Sequence, residues 1–391
     1  MGSERAGIQR RTQVTSGPVR PVKVQPRLDA KPWGGRMLAD WGVSLPPGET
    51  IGEALFTAPE ATVAAGPLQG TPLSTLAAGD AAAWIGARGL EVTGGRAIFP
   101  LLVKLIDGQA DLSIQIHPDD RAAAAAGLGT GKTEAYHILA AEPGSVIYLG
   151  LDPDVKPEEF AASCLRANGS AAGCLRQVPA EPGMTVLIPA GTPHALGAGI
   201  LVYEIQQPSN VTFRLDDWGR VDAFGAARAL HHREGLVLVD PLSRPEPISP
   251  VSLGDADVDR ALLVATPFFG LERIALDGHA VVHITAVDSP QVLTPLSGAV
   301  IIDASGWVTA AATGETIIVP AGLGARLSGR RDSVILRGWV PDLEREVIAP
   351  ARAAGASDAA IRGLGVPVVD EADATRRPAR EPGTRSGGNT C

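Results

Sequence analysis

Leu112-Ser113-Ile114-Gln115-Ile116-His117-Pro118-Asp119-Asp120 alternates apolar and polar side chains and closes on a Pro-Asp-Asp turn. In an extended strand, side chains two apart project from one face. Gln115 and His117 therefore point together, and Ile114 and Ile116 point the other way. Other short β-rich runs lie outward from this one: Phe99 to Ile106, Ala135 to Ala140, Ser145 to Gly150, Met184 to Ile188 and Leu201 to Gln206. All are short, β-rich and separated by Gly/Pro punctuation, which predicts an all-β sandwich or barrel rather than a βαβ sheet.

Helices enter only as short insertions. Arg121 to Ala126 follows two aspartates that can cap it, and Gly127 can end it. Lys156 to Ala167 and Asp222 to Glu234 are the other candidates. A second β-rich block runs from about 258 to 341, with strands expected at Ala280 to Ala286, Ala299 to Asp303, Glu315 to Val319 and Ser333 to Gly338. In it, Thr313-Gly314-Glu315-Thr316-Ile317-Ile318-Val319-Pro320-Ala321-Gly322 echoes Glu181 to Gly191, each reading as turn, strand, then Pro-Ala-Gly. We read this as an internal repeat of one jelly-roll-like unit. The expected organisation is a disordered lead-in over 1–27, a metal-binding unit over 28–240, a Pro-rich linker over 241–257, a second unit over 258–345, and a disordered tail over 346–391.

Bulk properties narrow the function. The 391 residues suffice for two ordinary domains, and 45% hydrophobic with 20% charged residues is normal for a globular chain. A net charge of -9 argues against a broad basic face for nucleic acid. Cys164, Cys174 and Cys391 form no Cys-x-x-Cys pair and leave an odd count, as expected in a reducing cytoplasm. The N-terminus lacks an apolar signal core, and no apolar run approaches the roughly 18 residues of a membrane span.

Two further segments complete the constellation begun by Gln115 and His117. Gly131-Lys132-Thr133-Glu134 adds a carboxylate, and Pro189-Ala190-Gly191-Thr192-Pro193-His194 adds a second imidazole. Two imidazoles, a carboxylate and an amide oxygen suit a divalent metal with room for a substrate oxygen. The second repeat continues Leu323-Gly324-Ala325 where the first has its histidine, so the metal site belongs to one unit. Ala126-Gly127-Leu128-Gly129-Thr130-Gly131-Lys132-Thr133 approaches a phosphate-cradling P-loop. Its context is wrong: a helix precedes it and a strand follows, whereas a P-loop joins strand to helix. A mobile glycine loop delivering Lys132 and Glu134 to a pocket fits better.

Phe99-Pro100-Leu101-Leu102-Val103-Lys104, Leu112 to Asp120, Gly131 to Glu134, Ile188 to Gly199, Glu204-Ile205-Gln206-Gln207 and Arg214-Leu215-Asp216-Asp217-Trp218-Gly219-Arg220 occur in an order that resembles the type I phosphomannose isomerases. Trp33-Gly34-Gly35 and Ile51-Gly52-Glu53-Ala54 look like that family's opening motifs. These are metal-dependent cupin enzymes that interconvert mannose 6-phosphate and fructose 6-phosphate, and the resemblance covers roughly 30 to 340. It implies two cupin domains in the compact bacterial form, and one zinc ion per chain held by Gln115, His117, Glu134 and His194. It further implies a catalytic Arg214, a lysine at Lys132 two residues before the glutamate ligand, and a phosphate-binding Ser113. Tyr136-His137 and Asp216-Asp217 depart from the family's usual residues beside the site.

The chemistry these residues support is aldose–ketose isomerisation, in which charge builds toward an enediolate. A Lewis-acid metal suits that charge, and Arg214 suits either the enediolate or the phosphate. Arg214 stays protonated and makes a poor base. Lys132 is a better base if burial depresses its pKa, and Glu204 is the alternative. Taken singly, each residue has an ordinary reading: His194 a turn histidine, Glu134 a solvated strand residue, Lys132 a loop charge, Arg214 a partner of Asp216 or Asp217, Gln115 an edge amide. Their joint occurrence in family order reverses those priors. His137, His231, His232, His279 and His283 are assigned to structure or surface, with His231-His232 on a helix away from the motifs. The expected partner is a small phosphorylated sugar, with neither nucleic acid nor membrane. Rivals are an isomerase of another sugar phosphate and a catalytically silent sugar-binding cupin.

Overall fold

Leu102–Gly108 and Ile200–Gln206 are strands buried along their whole length. They pair antiparallel, Glu204 facing Lys104, inside a six-stranded sheet of neighbour order Thr185–Ile188, Glu134–Ala141, Ile200–Gln206, Leu102–Gly108, Glu53–Leu55 and Arg27–Asp29. On one face Ile106, Ile138 and Val202 meet Ile147, Leu149, Val178 and Leu196. Those belong to a five-stranded sheet of order Phe213–Asp216, Ile114–Ile116, His194–Leu196, Val146–Leu151 and Leu175–Pro179. On the other face Val103, Leu105, Tyr203 and Ile205 pack on Leu263, Leu271, Val292 and Leu336 of a further sheet. Strands covered on both faces carry continuous apolar runs, which is why Phe99 to Ile106 does not alternate.

The structure is a computed structural model and describes residues 19–222, 224–254, 258–276, 278, 280–330 and 332–368. The further sheet has eight strands, ordered Val251–Ser252, Asp259–Ala265, Gly270–Leu276, Ser333–Trp339, Gln291–Ser297, Thr316–Val319, Val22–Gln25 and Thr62–Val63. Its far face presents Ile274, Leu293 and Ile335 to Val282, Val300, Ile302 and Leu327. These lie on a four-stranded sheet of order Val281–Ile284, Ala325–Gly329, Ala299–Ala304 and Trp307–Ala312. The chain is thus mostly β, with four sheets stacked as two sandwiches back to back. Starting from Thr185–Ile188 in one sandwich and Thr316–Val319 in the other, the next five neighbours succeed one another in the same relative order. The Ile188–Glu134 pairing of the first corresponds to the Val319–Gln291 pairing of the second.

Four boundaries differ from the sequence expectation. The lead-in expected over 1–27 contributes a strand at Val22–Gln25, inserted between Thr316–Val319 and Thr62–Val63. Val22 and Val24 alternate inward there, too short a period-2 signal to stand out among flanking prolines. Residues 1–18 lie outside the described residues. In the 241–257 linker, Ile248 donates its N–H to the Thr185 carbonyl (2.8 Å), and Val251–Ser252 pairs with the Asp259–Ala265 strand. The tail expected from 346 is structured to 368: Ala349–Ala353 and Asp358–Gly363 are helices, the second capped by Ser357. Their Ala351, Ile361 and Leu364 pack on Leu262, Ala265 and Trp339.

The helix expected over Asp222 to Glu234 shrinks to His232–Gly235. Asp222 Oδ1 instead accepts the Phe224 and Ala226 N–H groups, closing an Asx turn that competes with helix. Asp120–Ala125 and Pro157–Cys164 are helical as expected, with Asp119 capping the former. Short helices at Met37–Asp40, Leu73–Gly79, Ala81–Trp84 and Gly86–Val92 are among those that add to the expected set.

Candidate metal centre

Three adjacent strands set the first row of the site. Gln115 on Ile114–Ile116 stands opposite His194 on one neighbour and Arg214 on the other. Cross-strand partners share a face, so these three side chains point into the first sandwich while Ile114 and Ile116 pack outward among Phe160, Leu175 and Leu215. His117 continues the same face two residues on.

Both imidazoles are fixed by backbone acceptors. His117 Nδ1 donates to the Val211 carbonyl at 2.9 Å, and His194 Nδ1 donates to the Thr192 carbonyl at 2.9 Å. That assigns the tautomer and leaves each Nε2 lone pair on the side of Glu134. Glu134, from the start of Glu134–Ala141, meets them: Oε1 lies 2.9 Å from His194 Nε2 and Oε2 lies 3.4 Å from His117 Nε2. The ligand atoms of His117, Glu134 and His194 lie within 4.8 Å of one another, and all three residues are buried. Gln115 Nε2 sits 3.2 Å from His194 Nε2; a half-turn of the amide would present Oε1 at the same place.

The donor set fits a divalent metal. Both Glu134 oxygens are buried without a hydrogen bond of good geometry, Oε2 having only its ion pair with Lys132, a costly state for a carboxylate unless a metal coordinates it. Burial pushes the Glu134 carboxyl up, but Lys132 and His117 outweigh it and hold it well below the usual range. Burial, with Lys132 beside it, takes the His117 imidazole down to about 3, so it stays neutral as a ligand must.

Lys132 reaches the same point. Its Nζ is 2.7 Å from Glu134 Oε2, 3.2 Å from His117 Nε2 and 3.6 Å from Glu204 Oε1. The loop that carries it, expected to be mobile, is tied down. Gly131 N donates to Asp120 Oδ1 (2.7 Å), Lys132 N to the Pro118 carbonyl (2.9 Å) and Thr133 N to Gln207 Oε1 (2.8 Å). A Cβ on Gly131 would lie 2.5 Å from the Asp119–Asp120 backbone, so glycine is required for this close approach. A strand follows the loop, so its N–H groups do not open a helix as a P-loop's would.

An alternating charge chain runs behind the centre. Lys31 Nζ lies 2.9 Å from Glu53, Lys104 Nζ lies 3.3 Å from Glu53 and 3.1 Å from Glu204, and Lys132 links Glu204 to Glu134. Lys104 and Glu53 had no assigned role in the sequence. The available signal was a lone lysine inside an apolar run, since a lysine buried there demands partners. Burial raises the Glu204 carboxyl to about 8, with Lys104 opposing and the Glu134 charge reinforcing it.

Arg214 sits at the rim. One Nη donates to the Ala229 carbonyl at 2.9 Å, while Nε is buried without a partner. His231, expected to lie away from the site, holds this strand: its Nδ1 accepts the Arg214 N–H at 3.1 Å, and its own N–H returns to the Arg214 carbonyl. His232 Nε2 bonds the Leu215 carbonyl. Ser113 is buried two residues before Gln115, and no hydrogen bond ties it to the cluster. The departures from the family pattern are mainly architectural. His137 bonds Thr185 Oγ1 among buried residues, and Asp216 accepts the Gly169 and Trp218 N–H groups. Asp217 pairs with Arg220 and Arg228. Tyr136 alone faces the centre, edge-on to His194 with ring centroids 6.2 Å apart.

No protein-family model matches the chain. It is 31% identical over 271 residues to the mannose-6-phosphate isomerase of Streptococcus mutans, covering 68% of this chain and 82% of that protein. It is 33% identical over 266 residues to the mannose-6-phosphate isomerase ManA of Bacillus subtilis, covering 66% and 81%. Among solved structures, the mannose 6-phosphate isomerase from Bacillus subtilis superimposes with a TM-score of 0.70 at 27% identity, over 82% of this chain and 99% of that one. A zinc-bound mannose 6-phosphate isomerase shares the fold, with a TM-score of 0.65 at 15% identity.

Proposed function

This chain belongs to the mannose-6-phosphate isomerase family, and from that premise we propose that its buried cluster is the active centre for interconverting mannose 6-phosphate and fructose 6-phosphate. The observation that carries the assignment is the convergence of His117, Glu134 and His194 on one point, with Lys132 against it. A structural ion pair needs one carboxylate and one cation. Two imidazoles that both turn Nε2 toward one buried carboxylate, in addition to the single lysine that pairs with it, suit an electrophile. The fitting group is zinc, held by those three residues and by Gln115 through its amide oxygen. When bound, zinc supplies Lewis-acid polarisation of the sugar oxygens.

The chain's own residues divide the remaining work. The isomerisation removes a proton from one of C1 and C2 and returns it to the other. Lys132 Nζ, projecting beside the ligands, is positioned to carry that proton. Glu204 Oε1, 3.6 Å behind Lys132, is the alternative carrier. Arg214, with an unpaired Nε at the rim, supplies fixed positive charge for the enediolate or the phosphate. Ser113, on the same side of its segment as Gln115, is assigned to the phosphate. Tyr136, Ile188 and Leu196 belong to one buried apolar cluster, and Tyr136 lies edge-on to His194.

We read the two sandwiches as two cupin, or jelly-roll, units, with the metal in the first only. The boundaries shift from the sequence expectation, because the strands at 22–25 and 62–63 join the second unit's sheet. We assign the chain to the cytoplasm: Cys164 and Cys174 are free thiols, and among the described residues no helix is long and apolar enough to cross a membrane. The test is conversion of mannose 6-phosphate to fructose 6-phosphate by purified protein, with metal content measured before and after chelation. Chelator-sensitive turnover restored by zinc establishes reaction and site. Turnover indifferent to metal removal would sink the assignment.

A further inference from the structure

The second sandwich repeats the catalytic charge row with its signs reversed. In the first, Glu53 faces Ile106, Leu55 faces Lys104, and Lys104 faces Glu204. In the second, Arg260 faces Ile274, Leu262 faces Glu272, and Glu272 faces Arg337. The flanking pairs agree: Ile205 opposite Ala135 corresponds to Gly338 opposite Val292, and Ile188 opposite Glu134 to Val319 opposite Gln291. Glu53, Lys104 and Glu204 therefore correspond to Arg260, Glu272 and Arg337. Two carboxylates around an ammonium have become two guanidiniums around a carboxylate.

The same correspondence removes the metal ligands. Gln115 opposite His194 becomes Ile284 opposite Ala325, and Glu134 becomes Gln291. What replaces the metal centre is a cationic row. Arg260 Nε donates to Glu272 Oε1 at 2.7 Å, Arg337 Nη1 to Glu272 Oε2 at 3.0 Å, and Arg337 Nε to Gln291 Oε1 at 2.7 Å. Gln291 is fixed in turn by donating to the Thr285 and Leu323 carbonyls. The Arg337 guanidinium stacks on Trp339, 4.2 Å from the ring centroid, and Trp339 Nε1 donates to Glu346.

A cavity of about 480 Å³ opens onto this row, lined by Arg260, Glu272, Arg337, Trp339, Arg345 and Glu346 among others. Its charged lining has one more guanidinium than carboxylates. Among the described residues, Arg337 Nη2 and both Nη groups of Arg260 donate to no protein acceptor. A buried guanidinium fork with free donors matches the oxygens of a carboxylate or phosphate.

We propose that this cavity is a second ligand site, binding a small metabolite by its phosphate-ester or carboxylate oxyanion between Arg260 and Arg337. The Trp339 face offers an apolar wall for the rest of the molecule, and Arg345 closes the outer side. Zinc plays no part, because the positions of its ligands carry Ile284, Gln291 and Ala325.

Calorimetric titration of the full zinc-loaded chain with glycerol 3-phosphate, and separately with succinate, tests this. Saturable binding of glycerol 3-phosphate alone marks a phosphate-ester site, of succinate alone a carboxylate site, and of both a general oxyanion site. The component that counts weakens roughly tenfold or more in Arg260→Gln, the loss of about one charge-assisted pair, and persists in Arg214→Ala. Arg345→Gln weakens it as well, and isomerase turnover of both variants stays at the wild-type level, which shows an intact fold. Absence of binding by either probe, or binding that survives Arg260→Gln combined with Arg345→Gln, overturns the proposal.

Discussion

Lys104 Nζ lies 3.1 Å from Glu204 Oε2, on strands where the two residues face each other directly, and both side chains are almost wholly enclosed. A pair in this position is held by mutual compensation: without Lys104, Glu204 keeps only Lys132 at 3.6 Å, and without Glu204, Lys104 keeps only Glu53 at 3.3 Å. Burial lowers the Lys104 ammonium's pKa, and the Glu204 and Glu53 carboxylates more than reverse that. Lys104→Met should therefore cost about 3–5 kcal/mol of stability. Adding Glu204→Leu to it should recover part of that loss, since the stranded carboxylate goes too. Denaturant unfolding of the single and double variants measures this, and a double variant no more stable than Lys104→Met would mean the pair is not a unit.

His194→Ala should abolish metal binding and turnover together. Its Nε2 is 2.9 Å from Glu134 Oε1 and its Nδ1 is committed to the Thr192 carbonyl, so the Nε2 lone pair is left for the metal. Metal content by elemental analysis, alongside the isomerase assay, is the measurement. An active variant without zinc would show that the ligands lie elsewhere.

Arg214→Ala should keep fold and metal, because the side chain bonds the Ala229 carbonyl rather than a proposed ligand, and its backbone is held by His231. Turnover should fall by about 10²–10³, the usual loss for one preorganised charge at a developing oxyanion. The kinetic split identifies the group that Arg214 serves. A fall in kcat marks the enediolate, and a rise in KM at constant kcat marks the phosphate. Wild-type values of both would remove Arg214 from the reaction.

The shared face of Gln115 and His117 could be read from Leu112 to Asp120 because period-2 alternation survives where a strand is covered by core on one side and faces a polar cluster on the other. The same rule hid Lys104, whose strand is covered on both faces, so its charge stood in an apolar run with no alternation to explain it. Val22–Gln25 was missed for a related reason: its partners Thr316–Val319 and Thr62–Val63 are remote in sequence, and only tertiary pairing makes four residues a strand. His231 was set aside because the Asp222 to Glu234 composition suggests helix. The Asx turn at Asp222 instead lets the chain fold back, and His231 reaches the Arg214 backbone. The sign-reversed row needed the register itself, since nothing local links Arg260 to Glu53.

Gly338 marks the seam between the sandwiches. A Cβ there would lie 2.9 Å from Ile205 Cδ1, the end of a side chain that must then move. Gly338→Ala should cost about 1–3 kcal/mol through overpacking. Ile205→Val removes the obstructing methyl, so the double variant should be more stable than the two separate losses predict. Melting temperatures of the four proteins in the cycle give the coupling, and strict additivity would mean that the two sheets do not press on each other at this point.

Lys132 and Glu204 are the two proposed proton carriers, and geometry ranks them. Lys132 Nζ touches the ligand sphere at His117 and Glu134, whereas Glu204 reaches it only through Lys132 and is anchored from behind by Lys104. Lys132→Met should therefore lose turnover by about 10²–10⁴, the usual contribution of general acid–base catalysis, and Glu204→Gln should lose much less while still binding zinc. The neutral amide keeps the shape of the Glu204 carboxyl, so a collapse of kcat in Glu204→Gln with fold and metal intact would move the proton to Glu204. Solvent-hydrogen exchange at C2 of mannose 6-phosphate, followed by NMR in deuterated buffer, gives the independent readout. It should vanish in the variant lacking the carrier and persist in the other.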